Sequence, residues 1–322
     1  MSKKNEKLDK LLKSLEKNYI VHKAKDFKED PKIRTEIFGL DYVLSGGIHQ
    51  CLGGHRIEFF GAESTGKSTF ALKVIAQYQK LGKVCVYMDG EHSYDPDWAE
   101  ICGIDNDNLL IVNPNNLQEA GDLYVKLIPE ADLIVTDSIV SLIPEEEIER
   151  DTNEPTMALQ ARINSLITRK IYKTISNRKT TMIFINQLRE KVGQLYGNPY
   201  TTGGGRALKH MYNTRIEFRN GKPIDIGSGD KKERIGYEIN MKAIKNKKGT
   251  PYKKAVVDFY FTGNIDNCKS LFFAGIKYGV VELSGKTYTF KDKKAVGKDN
   301  FIKELTDKDY KKIEEELWKR MK

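Results

Sequence analysis

The sequence predicts an α/β fold: a doubly wound, mostly parallel sheet carrying an N-terminal helical arm and a small C-terminal α/β domain. Three observations predict it. Short apolar, β-rich runs alternate with helical segments between about residues 55 and 186, the pattern of strands covered on both faces. A glycine-rich turn, Gly61-Ala-Glu-Ser-Thr-Gly-Lys-Ser68, joins the first such run to a helix. Beyond it, 214–219, 236–244 and 255–261 read as hairpin strands with no helix between them.

Taken in order, the first thirty residues read as one amphipathic helix, with Leu8, Leu11, Leu12 and Leu15 at helical spacing, then Tyr19 and Ile20. After Pro31 the chain turns extended, and Gly46, Gly47, Gly53 and Gly54 mark turns. Strands are predicted over 55–60, 83–89, 131–137 and 180–186, with helices over 68–81 and 159–176. From about residue 264 short helices and strands return. The expected organisation is an oligomerisation arm over 1–33, a core over 34–263 and a C-terminal domain over 264–322. There is no internal repeat and no low-complexity linker.

The 322 residues are 39% apolar and 31% charged, which excludes a disordered chain, a collagen-like fibre and a small disulfide scaffold. No apolar run approaches the ~20 residues that span a bilayer, and the N-terminus has no secretory h-region. Cys51, Cys85, Cys102 and Cys268 form no metal or redox spacing, which suits a reducing cytoplasm. The net charge of +9 conceals an asymmetry: 61–159 carries −13 and 160–260 carries +15. Such blocks are solvated surface, a footprint for a polyanion, or surfaces by which copies attract head to tail.

The turn at 61–68 fits GxxxxGK[ST] without a gap. Backbone N–H groups of such a turn and the helix N-terminus behind it cradle phosphate, Lys67 reaches the β- and γ-phosphates, and Ser68 ligates Mg²⁺. This predicts an ATP or GTP site. Asp137, ending the run Leu-Ile-Val-Thr-Asp, suits a carboxylate that holds Mg²⁺ through water; alone it would be a turn residue. Glu91 follows a strand, where a carboxylate can polarise an attacking water or sit idle in a surface loop.

Longer stretches then resemble the ATPase core of the RecA family. They are Gly-Ala-Glu-Ser-Thr-Gly-Lys-Ser-Thr69, Tyr87-Met-Asp-Gly-Glu-His-Ser-Tyr-Asp-Pro-Asp-Trp98, the run around Asp137, Phe184-Ile-Asn-Gln-Leu-Arg-Glu-Lys191 with its continuation to Pro199, Thr201-Thr-Gly-Gly-Gly-Arg-Ala-Leu-Lys209, Ala243-Ile-Lys-Asn-Lys247 and Gly275-Ile-Lys-Tyr-Gly-Val-Val-Glu-Leu-Ser-Gly285. They follow in family order over most of 35–300. The resemblance implies a bacterial-type strand-exchange protein of bacterial or phage origin. It would be an ATP- and Mg²⁺-dependent ATPase that forms a homo-oligomeric filament on single-stranded DNA, takes up duplex DNA, and works with single-strand-binding and loader proteins in a bacterial or phage-infected cytoplasm, away from membranes.

By the same resemblance Gly61, Ala62, Glu63, Ser64, Thr65, Gly66, Lys67, Ser68 and Thr69 hold the nucleotide, with Asp95 at the base edge and Trp98, where the family usually has Tyr, stacked on adenine. Glu91 activates water, Gln187 senses the γ-phosphate, and Lys245 and Lys247 reach a neighbour's γ-phosphate. DNA contacts fall on a first loop at about 150–159 with Met157, on Arg162 and Arg169 of the next helix, and on a second loop with Arg189, Lys191, Gly204, Gly205, Arg206 and Lys209. Leu195 and Tyr196 of that loop wedge between bases or pack in the core. His210 replaces a usual Phe and Arg206 a usual Asn, and the family's acidic tail is missing, which implies altered interface coupling and weaker restraint on duplex binding. Two alternatives stay open: a non-exchanging DNA-binding mediator, and a hexameric helicase motor on the same core.

Overall fold

The computed structural model describes residues 3–19, 21, 23, 30–148, 157–190 and 200–321. It divides into a unit over 1–31 and one over 32–322. In the first, helix α1 (Lys3–Leu15) half-buries Leu12 and Leu15 and exposes Leu8 and Leu11. The helix expected over thirty residues is therefore shorter. Past Leu15, turn hydrogen bonds carry the chain to Tyr19, which keeps helical spacing from Leu15 but is exposed.

The second unit opens with β1 (Lys32–Ile33), α2 (Phe38–Val43) and β2 (Ile48–His49), then β3 (Arg56–Gly61) and α3 (Lys67–Lys80). It continues through β4 (Cys85–Asp89), α4 (Pro96–Ile101), β5 (Leu109–Val112), α5 (Leu117–Leu127), β6 (Leu133–Asp137) and α6 (Glu145–Ile148). Next come α7 (Met157–Ile175), β7 (Thr181–Glu190), β8 (Tyr200–Thr202), α8 (Gly205–Met211), β9 (Thr214–Ile226), β10 (Glu233–Asn246), β11 (Lys254–Tyr260) and β12 (Ile265–Asp266). The end is α9 (Cys268–Lys277), β13 (Glu282–Ser284), β14 (Thr287–Phe290), β15 (Lys293–Val296), α10 (Lys298–Glu304) and α11 (Asp307–Arg320).

One large sheet has the order β12-β11-β10-β9-β3-β7-β6-β4-β5, with β8 paired to β7. From β9 to β5 the pairs are parallel; from β9 to β12 they are antiparallel. Every residue of β3, β4 and β6 is buried, as expected of central parallel strands. Side chains alternate between two apolar clusters: Ile183 and Ile185 join Ile57, Phe59, Phe70 and Phe218, while Met182 and Phe184 join Met88, Tyr124, Ile134 and Tyr212. Phe272, Phe301, Ile313 and Leu317 extend the first cluster, so the segment from α9 onward shares that core.

Three differences from the sequence reading have physical causes. The strand β5 went unseen because it is an edge: only Leu109 of it is buried, so it lacks a continuous apolar run. Strand β7 overshoots the predicted 180–186, leaving the parallel sheet to pair Leu188 with Thr202 and Glu190 with Tyr200. The hairpin strands β9 and β10 are longer than predicted because irregularities at Arg234/Gly236, Tyr237/Ile239 and Ala243/Lys245 interrupt the two-residue period. Lys319 and Arg320 of the basic stretch near the chain end lie in α11, where Arg320 donates to the carbonyls of Tyr278 and Gly279 at 3.0 and 2.7 Å. Among the described residues no helix is long and apolar enough to cross a membrane.

Candidate active site

Four parallel strands end on one edge of the sheet, and the ends meet in register. Gly61 of β3 lies opposite Gln187 of β7, and Asp89 of β4 opposite Asp137 of β6. The crevice beyond such carboxyl ends is where open α/β sheets leave room for ligands.

Residues 61–69 turn from β3 into α3. Gly61 has no space for a side chain: a Cβ would sit 2.2 Å from the Phe218 carbonyl oxygen. Gly66 adopts φ 79°, the left-handed region glycine occupies without strain. No side chain caps α3, so the first-turn N–H groups of Lys67, Ser68 and Thr69, backed by the helix dipole, form an anion cradle. Lys67 folds across the loop, its Nζ donating to Ala62 O at 2.6 Å and to Thr65 Oγ1 at 3.4 Å. Burial lowers its pKa, opposed by the charges of Asp137, Glu91 and Glu63. At the tip, Ser64 O accepts from Asn220 Nδ2 at 3.2 Å, and Glu63 is exposed.

Ser68 Oγ donates to Asp137 Oδ2 at 2.6 Å, and Tyr87 OH donates to the same oxygen at 2.8 Å. Asp137 is buried, which raises its pKa; the Ser68 and Tyr87 hydroxyls oppose the shift. Among the described residues no cluster of three or more His, Cys, Asp or Glu could hold a metal by itself. A hydroxyl and a carboxylate beside a phosphate cradle nonetheless fit Mg²⁺, which completes its shell with water and phosphate oxygens.

Glu91 follows β4 in a turn tied down by Asp89, whose carboxylate accepts the N–H groups of Glu91, Ser93 and Tyr94 at 3.2, 3.2 and 2.9 Å. Its Oε1 receives Ser138 Oγ at 2.5 Å and Gln187 Nε2 at 3.4 Å. Glu91 and Gln187, far apart in sequence, therefore touch. Gln187 lies inside β7 and not past it. Asp95 uses Oδ1 to cap α4, accepting the N–H groups of Asp97 and Trp98 at 3.0 and 3.1 Å, and Trp98 packs half-buried against the first apolar cluster.

The basic residues gather around β7, β8, α7 and α8. Arg189 is exposed on β7 opposite Thr201, and Arg206 is exposed on α8. Lys209 donates to Thr201 Oγ1. Asn164 of α7 donates to Gly204 O at 3.2 Å, and Gly205 faces Ala161, beside the exposed Arg162. Arg169 lies two turns further along α7, exposed, and Met157 opens that helix. Lys191, Leu195, Tyr196 and 149–156 of the first loop lie outside the described residues. Lys245 Nζ donates to the α8 carbonyls of Lys209 and His210 at 2.6 and 3.3 Å; Lys247 is exposed, its N–H bonded to Asn213 O at 2.9 Å. Burial, then Lys247 and Arg215, push the Lys245 pKa down to about 8.

Sequence reasoning missed Tyr87, Ser138, Glu58, Asn186 and Arg215. The one legible signal was Glu58, a carboxylate within the otherwise apolar run from Ile57 to Phe60.

Residues 4–266 match the family described as the RecA N-terminal domain. Protein RecA of Thermus aquaticus is 37% identical over 297 residues, 89% of this chain and 85% of the relative. Protein RecA of Mesoplasma florum is 36% identical over 317 residues, and that of Bacteroides thetaiotaomicron 37% over 313; both alignments cover 96% of this chain and 93% of the relative.

Proposed function

The chain belongs to the RecA family, and from that premise we propose that it is an ATP-dependent DNA recombinase of recombination and repair. It assembles in the cytoplasm as a filament on single-stranded DNA and carries out homology search and strand exchange with DNA-stimulated ATP hydrolysis. The observation that carries this reading is the convergence of the 61–69 cradle, Asp137, Glu91 and Gln187 at the carboxyl ends of β3, β6, β4 and β7.

In this reading the first-turn N–H groups of α3 and the Lys67 ammonium hold the triphosphate. Ser68 and Asp137 would hold Mg²⁺, which when bound would neutralise charge on the triphosphate. Lys67 exchanges its bonds to Ala62 O and Thr65 Oγ1 for phosphate oxygens. Glu91 orients and deprotonates the attacking water, with Ser138 and Gln187 fixing its carboxylate. Gln187 also lies at the root of the second DNA loop, so a hydrogen bond from its amide to the γ-phosphate ties nucleotide state to that loop. Asp95 and Trp98 take the base. Arg162, Arg169, Arg189, Lys191, Gly204, Gly205, Arg206 and Lys209 track the DNA backbone through point charges and N–H groups without reading sequence, and Met157 packs on or wedges between bases.

Ala variants of Arg189 and Arg206 therefore bind single-stranded DNA more weakly whatever its sequence. Each lost phosphate contact lowers the slope of log K against log salt by roughly 0.7. Fluorescence-anisotropy titrations across salt concentrations measure this, and an unchanged slope removes the residue from the phosphate track. The function itself is tested by electron microscopy of the chain with single-stranded DNA and a slowly hydrolysed ATP analogue. An extended helical filament is expected; closed rings would indicate a helicase-type motor, and naked DNA would overturn the reading.

A further inference from the structure

Glu58 sits fully buried in the middle of β3, three residues before the cradle. A carboxylate there is strongly disfavoured unless its oxygens are satisfied, and both are. Arg215, directly opposite on β9, donates through Nε to Oε2. Asn186 of β7 donates through Nδ2 to Oε1 at 2.8 Å. Each partner then reaches onward to the same place. Arg215 Nη2 donates to Thr202 Oγ1 at 2.9 Å, and Asn186 Nδ2 also meets Gly203 O at 3.3 Å. The Arg215 guanidinium is steadied 4.9 Å above the Phe60 ring.

Thr202 and Gly203 are where the segment after β7 returns to the fold, immediately before Gly204, Gly205 and Arg206. One carboxylate on the strand that feeds the phosphate cradle thus grips that landing by two arms. Sheet stability does not call for it, since apolar side chains of similar volume commonly replace buried ion pairs without loss. What an ion pair adds is direction: the fork of Arg215 fixes two oxygens at set angles.

We infer that Glu58 and Arg215 are positioning residues that clamp the returning end of the second DNA loop to the strand carrying the phosphate cradle, through Thr202 and Gly203. The clamp itself rests on geometry; its consequence for DNA rests on the recombinase reading. With the landing fixed, the cations at 206 and 209 meet DNA from a set position, and a shift at the cradle is transmitted to them through β3.

The test separates the two. Thr202→Val removes the acceptor yet keeps a β-branched strand residue and leaves Glu58 paired. Thr202→Ser keeps the hydroxyl. Arg215→Lys keeps the charge and loses the fork. Hydrogen–deuterium exchange of the full chain without DNA or nucleotide should show amides of 200–205 exchanging about tenfold faster in Thr202→Val and Arg215→Lys, with β4 and β6 unchanged. The single-stranded DNA concentration giving half-maximal ATPase should rise about fivefold or more, while Kd for a fluorescent ATP analogue stays within about twofold of wild type. Thr202→Ser should behave as wild type. Unchanged exchange at 200–205 in both variants would overturn the clamp, as would a nucleotide Kd that weakens in step with DNA response, the mark of general loosening. A wild-type chain without DNA-stimulated hydrolysis would sink the recombinase reading, and the exchange measurement would still decide the clamp.

Discussion

Glu91→Gln lowers DNA-stimulated ATP hydrolysis by about 10²-fold or more, the range a positioned general base contributes, and leaves nucleotide binding and DNA-bound assembly in place. The amide keeps the size of the side chain and its carbonyl oxygen can still accept from Ser138 Oγ, so the turn after Asp89 keeps its shape. What is lost is the proton acceptor. Lys67→Ala acts differently, because it removes the ammonium that spans the cradle and so weakens binding of the triphosphate itself. Coupled-enzyme ATPase assays with and without single-stranded DNA, beside fluorescent-nucleotide titrations, separate the two. Normal hydrolysis by Glu91→Gln would show that the water is activated elsewhere.

The cradle was legible from sequence because its chemistry is local: nine consecutive residues carry the glycines, the lysine and the hydroxyl, and flanking apolar runs locate it between a strand and a helix. Asp137 was legible for a similar reason, as the polar end of a buried strand. The contact between Glu91 and Gln187 was not, since it arises only when β4 and β7 are laid in one sheet with β6 between them. Tyr87 and Ser138 escaped notice on the same ground: a tyrosine in a β-rich run and a serine after an aspartate carry no pattern until register brings them to Asp137 and Glu91. Glu58 was visible as an anomaly in its strand but mute about its partners, which come from β7 and β9. Where β-strands pair far along the chain, periodicity reports burial and says nothing of who sits opposite.

The other large effect is recovery, not loss. In the proposed filament Lys245 and Lys247 serve the γ-phosphate bound by a neighbouring copy, neutralising developing charge as an arginine finger supplied in trans does. In the single chain Lys245 is held on the carbonyls of Lys209 and His210, near the end of α8. Burial and the adjacent cations push its pKa down to about 8, so an anionic partner would favour its charged form. Leaving those carbonyls for a neighbour's phosphate therefore both completes a foreign site and frees this chain's α8. Lys67→Ala has a defective cradle and sound trans lysines; Lys245→Ala has the reverse. Neither alone shows DNA-stimulated ATPase. In a mixed filament, interfaces that join a sound cradle from Lys245→Ala to the sound lysines of Lys67→Ala hydrolyse ATP, and the mixture exceeds the sum of the two variants. Steady-state ATPase across mixing ratios measures it, with co-assembly verified by energy transfer between labelled copies. Co-assembly without recovery would mean that Lys245 and Lys247 act within their own chain or not at all, and not on a neighbour's nucleotide.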